Sequence, residues 1–353
     1  MVIFEKEIKS KNSNPGIITV ADYPKTGVVR SEKTKEKKLI LNPWFITGLV
    51  DAEGSFVVNI VKDSSKSLGF FVLPYFEIAL NEKDRDLLTG IQDYLGIGNI
   101  TFNSSDNTFK LKVSGLDGLS NIVIRHFQQY YLLSKNVPIL QLFSRVVGIM
   151  KSGDHLNLKG FQEIVNIRAS LNLGLSDKLK AYFPETLPVV RPEFNIKSIP
   201  DPWWLAGFTE GESCFFIPLR RAVPPLKGAQ ARVYKSVKSK QGFAVQLAFT
   251  ITQHSRDKEL LNVIAQFLEC GRVADRSNGG ACDFIVNSIK DLKNKIIPFF
   301  NKYPLLGTKS LNYQDFVKVF ELMDTKKHLT QDGLATIIKI KSGMNTGRIQ
   351  LDT

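Results

Sequence analysis

A nine-residue pattern that occurs twice constrains the fold of this chain more than any other feature. The first copy, ITGLVDAEG, covers residues 46–54, and the second, LAGFTEGES, covers residues 205–213. In both copies small residues recur four positions apart, and a strand-like run follows the motif. A spacing of four places the small residues on one stripe of a helix, where a second helix can approach closely. We therefore predict that the two motif helices pack against each other at the centre of a two-part molecule.

The glutamates near the end of the motifs, Glu53 and Glu212, are predicted to converge when these helices pack. Each would lie at or near the last turn of its helix, against the negative end of the helix dipole. Two nearby carboxylates repel each other unless they share a proton or a metal ion. Because hard divalent cations prefer oxygen ligands, the sequence predicts a metal site at these glutamates, with Mg²⁺ as the candidate.

The two halves of the chain resemble each other well beyond these motifs. Residues separated by 173 positions repeatedly match, as in the pairs Phe76 and Phe249, Asp84 and Asp257, Gly98 and Gly271, and His155 and His328. Two repeats of about 140 to 150 residues each fit the usual length of a domain. We predict a basic N-terminal tail over residues 1–41, a first repeat over 42–183, a proline-rich linker over 184–200 and a second repeat over 201–353.

The duplicated motifs resemble those of the single-chain, two-repeat LAGLIDADG homing endonucleases. The resemblance implies an α+β fold in which two antiparallel four-stranded β-sheets, related by a pseudo-twofold axis, form a saddle on DNA, with helices packed on one face. It also implies metal-dependent cleavage of both strands of a long, asymmetric DNA site by a monomer. In that family the eighth motif position supplies the metal-binding carboxylate, here Glu53 and Glu212. The seventh position contributes a backbone carbonyl, here that of Ala52 and Gly211.

The family pattern adds a basic residue that helps to activate water or neutralises negative charge, and Lys309 in YPLLGTKSLNY matches it. An ordinary surface or DNA-contacting lysine is the alternative for Lys309. The residue 173 positions earlier is Asn136, with Lys135 immediately before it. Either Lys135 compensates through a shifted turn and joins the catalytic residues, or one DNA strand is cut slowly.

A strongly basic segment follows the second motif. From 213 to 255 the chain contains no Asp or Glu, and the apolar runs at its ends predict a hairpin with a long basic connection. Phosphate is the natural partner of such a segment, and the net charge of +13 agrees with a nucleic acid; a merely solvated loop is the alternative. The predicted DNA-binding residues of the second repeat are Arg220, Arg221, Lys227, Arg232, Lys235, Lys238 and Lys240. The shorter equivalent in the first repeat supplies Asn59, Lys62 and Lys66.

Asp51 and Glu210 are the other acidic residues of the two motifs. They occupy the sixth motif position, roughly 200° around the helix from the eighth, so we expect them to face elsewhere and to serve structure or solubility. The three cysteines are odd in number and show no CxxC spacing, so we expect reduced thiols and no zinc site. No apolar stretch approaches the length of a membrane span, so no membrane partner is expected.

The resemblance implies double-stranded DNA as the partner, Mg²⁺ as the cofactor and Ca²⁺ as an ion that supports binding without cleavage. It points to an intron-encoded protein of an organelle, the mitochondrion. The competing functions on the same scaffold are an intron maturase, whose partner would be intron RNA, and a DNA-binding relative that no longer cleaves. The presence of both Glu53 and Glu212 favours an active endonuclease, whereas a transcription regulator would need neither.

Overall fold

The chain folds into two α+β repeats with the same succession of elements. The computed structural model describes residues 39–221, 242–277 and 279–348. The strands of the first repeat are β1 Gly54–Lys62, β2 Phe70–Asn81, β3 Asn99–Asn103 and β4 Thr108–Val113. Its helices are α1 Pro43–Glu53, α2 Arg85–Leu95, α3 Leu116–Gly118, α4 Arg125–Gln129, α5 Asn136–Lys151, α6 Leu158–Ser170 and α7 Asp177–Tyr182.

The second repeat follows the same order, with a short additional hairpin. Its strands are β5 Ser213–Phe216, β6 Leu219–Arg221, β7 Phe243–Val245, β8 Ala248–His254, β9 Arg272–Asp275 and β10 Ala281–Val286. Its helices are α8 Pro202–Glu212, α9 Lys258–Leu268, α10 Ile289–Asp291, α11 Ile297–Lys302, α12 Lys309–Asp324 and α13 Gln331–Ser342. Single turns of 3₁₀ helix precede α2 and α9, at Glu82–Asp84 and Ser255–Asp257.

Each repeat is built on a four-stranded antiparallel sheet. The strand orders are β1-β2-β4-β3 and β5-β8-β10-β9, so the two sheets have the same topology. The registers also correspond, since Phe56 lies opposite Phe76 in the first sheet and Phe215 lies opposite Phe249 in the second. The predicted α+β fold with two four-stranded sheets is therefore confirmed. The antiparallel pair β6 and β7 forms the described part of the predicted basic hairpin, and its connection, residues 222–241, lies outside the described residues.

Burial alternates along the strands, so each sheet has one covered face and one open face. In β2 every second residue from Val72 to Leu80 is buried, as expected for side chains that point to opposite sides of a sheet. The covered faces pack phenylalanines against the helices at matching positions in both repeats. In the first repeat these are Phe56, Phe76, Phe127 and Phe143, and in the second Phe215, Phe249, Phe300 and Phe316.

The two motif helices, α1 and α8, cross at the centre of the molecule with their backbones in contact. A Cβ atom on Gly48 would overlap the carbonyl oxygen of Trp204, and one on Gly207 would overlap that of Phe45. Both helices start with a proline after a capping residue, whose side chain accepts a backbone hydrogen bond of 2.8 Å; the caps are Asn42 and Asp201. The small-residue stripe therefore acts as predicted, because it allows two helices to approach more closely than side chains would permit.

The segment between the repeats runs without regular secondary structure. Residues 184–200 form neither helix nor strand, and Arg191 holds part of this segment against the first repeat by donating to the carbonyl oxygen of Ser170 at 2.6 Å. Because this irregular segment lies between the two sets of helices and strands, we propose repeats at 42–183 and 201–353, joined by a linker at 184–200. Within the described ranges, no helix has the length and apolar character that a membrane crossing requires.

We expect Gly48→Ala and Gly207→Ala to lower the free energy of unfolding by about 2 kcal/mol or more each, because the added methyl group meets backbone atoms that cannot rotate away. Gly148→Ala is the matched control, since this helical glycine in α5 is exposed and has open space around its Cβ position. That change should stabilise the chain by about 0.5–1 kcal/mol through helix propensity. Urea unfolding measures all three, and equal effects would contradict the close packing of α1 and α8.

Candidate active site

Glu53 and Glu212 are the last residues of α1 and α8, so the crossing of these helices brings both carboxylates to one place. Gly211 makes this approach possible. A Cβ on Gly211 would lie 2.5 Å from the Cβ of Ala52 and 2.8 Å from Oε1 of Glu53. The structure thus brings together the four residues that the sequence assigned to a metal site, at the end of the helix pair.

The surroundings of the two glutamates raise the pKa of both side chains. Burial raises the pKa of Glu53; the charge of Lys309 opposes this shift and that of Asp84 adds to it. Burial also raises the pKa of Glu212, while a hydrogen bond with the Gln253 side chain lowers it and the charge of Glu53 raises it. Each shift reflects negative charge held in a poorly hydrated place, which a bound cation would relieve.

Lys309 lies where the sequence analysis expected a catalytic lysine. It is the first residue of α12, and its Nζ donates to the carbonyl oxygens of Gly211 at 3.1 Å and Ser213 at 2.6 Å. Burial lowers its pKa, and the charges of Glu210, Glu53 and Glu212 are among those that raise it. The ammonium group is thereby fixed at the C-terminal end of α8, within reach of the charge of both motif glutamates.

The first repeat has a different residue at this position. Asn136 is buried, and its Nδ2 lies 3.4 Å from the carbonyl oxygens of Val50 and Asp51, at the end of α1. Lys135 has an exposed side chain, and its charge lowers the pKa of Glu212. Asn136 rather than Lys135 therefore occupies the place that corresponds to Lys309, and the two halves of the site differ in charge.

The sixth-position acids hold the turns that carry these residues. Asp51 accepts the backbone N–H groups of Leu133 at 2.8 Å and Ser134 at 3.0 Å, and the indole N–H of Trp204 at 2.8 Å. Burial raises its pKa to about 6, and these hydrogen bonds act in the opposite direction. The expected structural role is correct, but solubility is the wrong explanation, because Asp51 is buried.

Glu210 has the corresponding role in the second repeat. Its Oε1 accepts the backbone N–H groups of Leu306 at 2.5 Å and Gly307 at 2.8 Å, just before α12 begins. Burial raises its pKa to about 7. The signal in the sequence was a carboxylate at the same position of both motifs, together with the similar turns LLSKN and LLGTK.

The predicted DNA-binding residues are divided between the described and the undescribed parts of the chain. Lys62 donates to the hydroxyl of Tyr182 at 3.0 Å, and Lys66 lies 5.7 Å from the centre of the Phe71 ring. Arg220 and Arg221 are exposed on β6, and Asn59 is half-buried on β1. Lys227, Arg232, Lys235, Lys238 and Lys240 lie outside the described residues.

The open faces of the sheets carry basic residues that the sequence analysis missed. Lys112 lies 3.8 Å from the centre of the Tyr75 ring, and Lys110 lies 3.7 Å from Glu77, all on the open face of the first sheet. On the second sheet Arg276 pairs with Asp283 at 2.8 Å. The alternation in the sequence TFKLKV, where lysines occupy every second place of β4, is the signal that could have identified the lysines.

The donor set is suitable for a hard divalent cation only if other ligands complete it. Among the residues that the structure describes, no group of three or more His, Cys, Asp or Glu side chains could enclose a metal ion. The carboxylates of Glu53 and Glu212 are oxygen ligands of the right kind, and the nearby carbonyl oxygen of Gly211 also accepts a hydrogen bond from Lys309. Phosphate oxygens of a substrate would have to supply others, as is usual for Mg²⁺.

Comparison with known proteins identifies the family. The family model described as LAGLIDADG endonuclease matches residues 46–147 and 205–320, which contain both motifs. The chain belongs to the LAGLIDADG endonuclease family. A curated relative, the probable intron-encoded endonuclease 2 of Neurospora crassa, is 39% identical over 315 residues. That match covers 86% of this chain but only 65% of the relative.

Solved structures of LAGLIDADG endonucleases share the fold. I-LtrWI, a LAGLIDADG homing endonuclease bound to target DNA, is 49% identical, with a TM-score of 0.80 over 87% of this chain and 98% of its own. I-SmaMI, bound to cleaved DNA, is 37% identical, with a TM-score of 0.81 over 88% of this chain and 98% of its own. A further structure of I-SmaMI holds an uncleaved DNA target in the presence of calcium ions.

We expect Asp51→Ala to lower the free energy of unfolding by about 3 kcal/mol or more, because three buried N–H groups lose their acceptor at once. Glu321→Ala is the control, since this glutamate is exposed on α12 and should change stability by no more than about 0.5 kcal/mol. Chemical denaturation followed by circular dichroism measures both. If Asp51→Ala is as mild as the control, the carboxylate does not hold the turn before α5.

Proposed function

We propose that this LAGLIDADG endonuclease is a site-specific, metal-dependent DNA endonuclease that acts as a monomer and hydrolyses one phosphodiester bond on each strand of a long, asymmetric site. The observation that carries the proposal is the convergence of Glu53 and Glu212 beside Lys309, at the end of a helix pair that joins two sheets. Both half-sites come from one chain, so a second copy is not needed. The sequences of the two halves differ, so the DNA half-sites should differ too.

The open sheet faces are the proposed DNA-binding surfaces. β1 has nine residues and β2 has twelve, lengths that correspond to roughly 30 and 40 Å at about 3.3 Å per residue. One helical turn of DNA is roughly 34 Å, so each sheet can follow about one turn of the major groove. Lys112 would contact phosphates from the open face of the first sheet, and the half-buried polar Asn59 would face the groove. Lys62 and Lys66, at and after the end of β1, and Arg220 and Arg221, on the separate hairpin strand β6, would contact phosphates from beside the sheets.

The metal is proposed to be Mg²⁺, held by Glu53 and Glu212 with the backbone carbonyls of Ala52 and Gly211. When bound, Mg²⁺ supplies an activated water and stabilises the leaving 3′ oxygen. The chain itself positions the carboxylates rigidly at two helix ends. Lys309 places a fixed positive charge against the charge that develops on the phosphate. Calcium is proposed to support binding without cleavage, because I-SmaMI was solved with an uncleaved DNA target in the presence of calcium ions.

The relative from Neurospora crassa is named as intron-encoded, and we propose the same origin for this chain, within the mitochondrion. Maturase activity on intron RNA is the competing function. A selection from a library of intron-insertion sequences, performed in Mg²⁺ and again in Ca²⁺ with each strand end-labelled, decides between them. Cleavage of both strands in Mg²⁺ with binding alone in Ca²⁺ supports the endonuclease. Binding without cleavage in either metal, or preferential binding of intron RNA, contradicts it.

We expect Glu53→Gln and Glu212→Gln each to reduce cleavage by at least about a hundredfold, because a metal site already loses 10- to 100-fold when only an outer partner is removed. Binding to the target in Ca²⁺ should change by less than about threefold, since no phosphate contact is lost. Glu321→Gln, at an exposed position on α12, is the matched control for the loss of one negative charge. If either motif variant still cleaves rapidly, the substituted glutamate is not a ligand of the catalytic metal ion.

The difference between Lys309 and Asn136 predicts unequal cutting of the two strands. We expect one strand to be nicked first, and Asn136→Lys to reduce the difference in rate by supplying the missing positive charge at the end of α1. Time courses with each strand labelled separately measure both rates. Lys135→Ala tests the alternative: if it slows one strand as much as Lys309→Ala slows the other, Lys135 compensates for the asparagine. Equal strand rates that neither lysine affects would contradict both interpretations.

A further inference from the structure

The turn that carries Lys309 is held by the other repeat. Thr308, immediately before Lys309, donates its backbone N–H to Oδ1 of Asp84 at 2.6 Å and its hydroxyl to Oδ2 at 3.0 Å. Asp84 ends the 3₁₀ turn before α2 and belongs to the first repeat, 224 positions away in the chain. One carboxylate therefore satisfies both donors of a residue in the opposite half of the molecule.

The same arrangement occurs on the other side of the pseudo-twofold axis. Asp257, which lies 173 positions after Asp84, ends the 3₁₀ turn before α9. Its Oδ1 accepts the backbone N–H of Lys135 at 3.0 Å, and Lys135 corresponds to Thr308 by the same offset. The contact from the aspartate of one repeat to a turn of the other repeat therefore occurs twice, at equivalent positions on both sides of the pseudo-twofold axis.

Gly307 shows how closely the second of these turns is enclosed. A Cβ on this residue would lie 2.7 Å from Oδ1 of Asp84 and 2.9 Å from Oε2 of Glu210. Carboxylates from both repeats therefore meet at one glycine, and they do so at the N-terminal end of α12, where the helix dipole favours negative charge. Glu210 holds the turn from within its own repeat, and Asp84 completes its support from the other.

We propose that Asp84 and Asp257 are positioning residues that act across the interface between the repeats: each fixes a turn of the opposite half of the site, Asp84 the turn that presents Lys309 and Asp257 the turn that carries Lys135 and Asn136. The inference rests on the proposed function of these lysines. A carboxylate that binds the turn backbone determines where the lysine side chain starts, and an error of about 1 Å at a catalytic group can cost about a hundredfold in rate. Each half of the site is then complete only when the other repeat is docked.

The two supports differ in strength. Asp84 makes two hydrogen bonds to Thr308, whereas Lys135 has no hydroxyl group that could form the second. Accordingly Oδ2 of Asp257 has no hydrogen-bond partner among the described residues, and the nearest cation, Nε of Arg256, is 3.8 Å away. Loss of Asp84 should therefore affect cleavage more than loss of Asp257.

The experiment compares single-turnover cleavage of end-labelled DNA by Asp84→Ala, Lys309→Ala and the double variant, at saturating enzyme in Mg²⁺. We expect Asp84→Ala to slow cleavage by about tenfold or more, with the same strand preference as Lys309→Ala. In the double variant the second change should add almost nothing, because both act through one group. Affinity of Asp84→Ala for the target in Ca²⁺ should change by less than about threefold, since this variant keeps every basic residue that could contact a phosphate.

Two further sets of variants separate positioning from general stability. Thr308→Ser keeps the hydroxyl contact and should cleave normally, whereas Thr308→Ala should show part of the loss. Asp86→Ala is the control for the loss of a nearby aspartate, since Asp86 is exposed in the first turn of α2, two positions after Asp84. Asp257→Ala should reproduce the strand preference of Lys135→Ala, with a smaller loss of rate than Asp84→Ala.

The outcomes distinguish this inference from the proposed function. If Lys309→Ala cleaves both strands at the normal rate, the catalytic role of Lys309 is wrong and the positioning role falls with it. If Lys309→Ala is slow but Asp84→Ala is normal, only the positioning role is overturned. Additive losses in the double variant, with a lowered melting temperature and no strand preference, would show that Asp84 supports the fold alone.

Discussion

The backbone contact between α1 and α8 is the constraint on which the rest of the molecule depends. Two helices can approach this closely only where a residue without a side chain lies against the backbone of the other helix, as Gly48 does at Trp204 and Gly207 does at Phe45. That contact holds the two repeats together and brings the C-terminal ends of both helices to one place. It also forces carboxylates into a poorly hydrated region, a cost that an interface made for packing alone would avoid.

The acids around this crossing fall into two chemically different groups. Asp51 and Glu210 accept backbone N–H groups, so their carboxylate oxygens are already engaged by donors within the protein. Glu53 accepts no hydrogen bond from the described residues, and only the charge of Lys309 opposes the rise in its pKa that burial causes. Glu212 has one hydrogen bond, with the Gln253 side chain, and the charges of Lys135 and Lys309 also lower its pKa. A carboxylate whose oxygens remain available is one that can bind a metal ion, whereas a carboxylate that is fully engaged holds the fold. The hydrogen bonds, rather than position in the motif alone, separate the two groups.

The sequence predicted the features that depend on local pattern. The duplicated motifs gave the helix pair, the offset of 173 gave two equivalent repeats, and the glutamates at the helix ends gave the candidate metal site. It did not predict that Asp51 would bind Trp204 across the helix pair, nor that Asp84 would reach Thr308. Those contacts join residues more than 150 positions apart and depend on the angle at which the repeats dock, which no periodicity records. The open-face lysines Lys110 and Lys112 could have been predicted from the alternation in TFKLKV, and the register of β4 shows which residues of β2 they lie beside.

A single chain that contains both repeats can change one half without changing the other. In a dimer of identical subunits every substitution appears at both symmetry-related positions, so a lysine lost from one half would be lost from both. Here Lys309 persists in the second half while Asn136 stands in the first, and the aromatic cores remain matched around them. A chain that carries both repeats can therefore hold different residues at its two half-sites while the packing between and within the repeats stays symmetric.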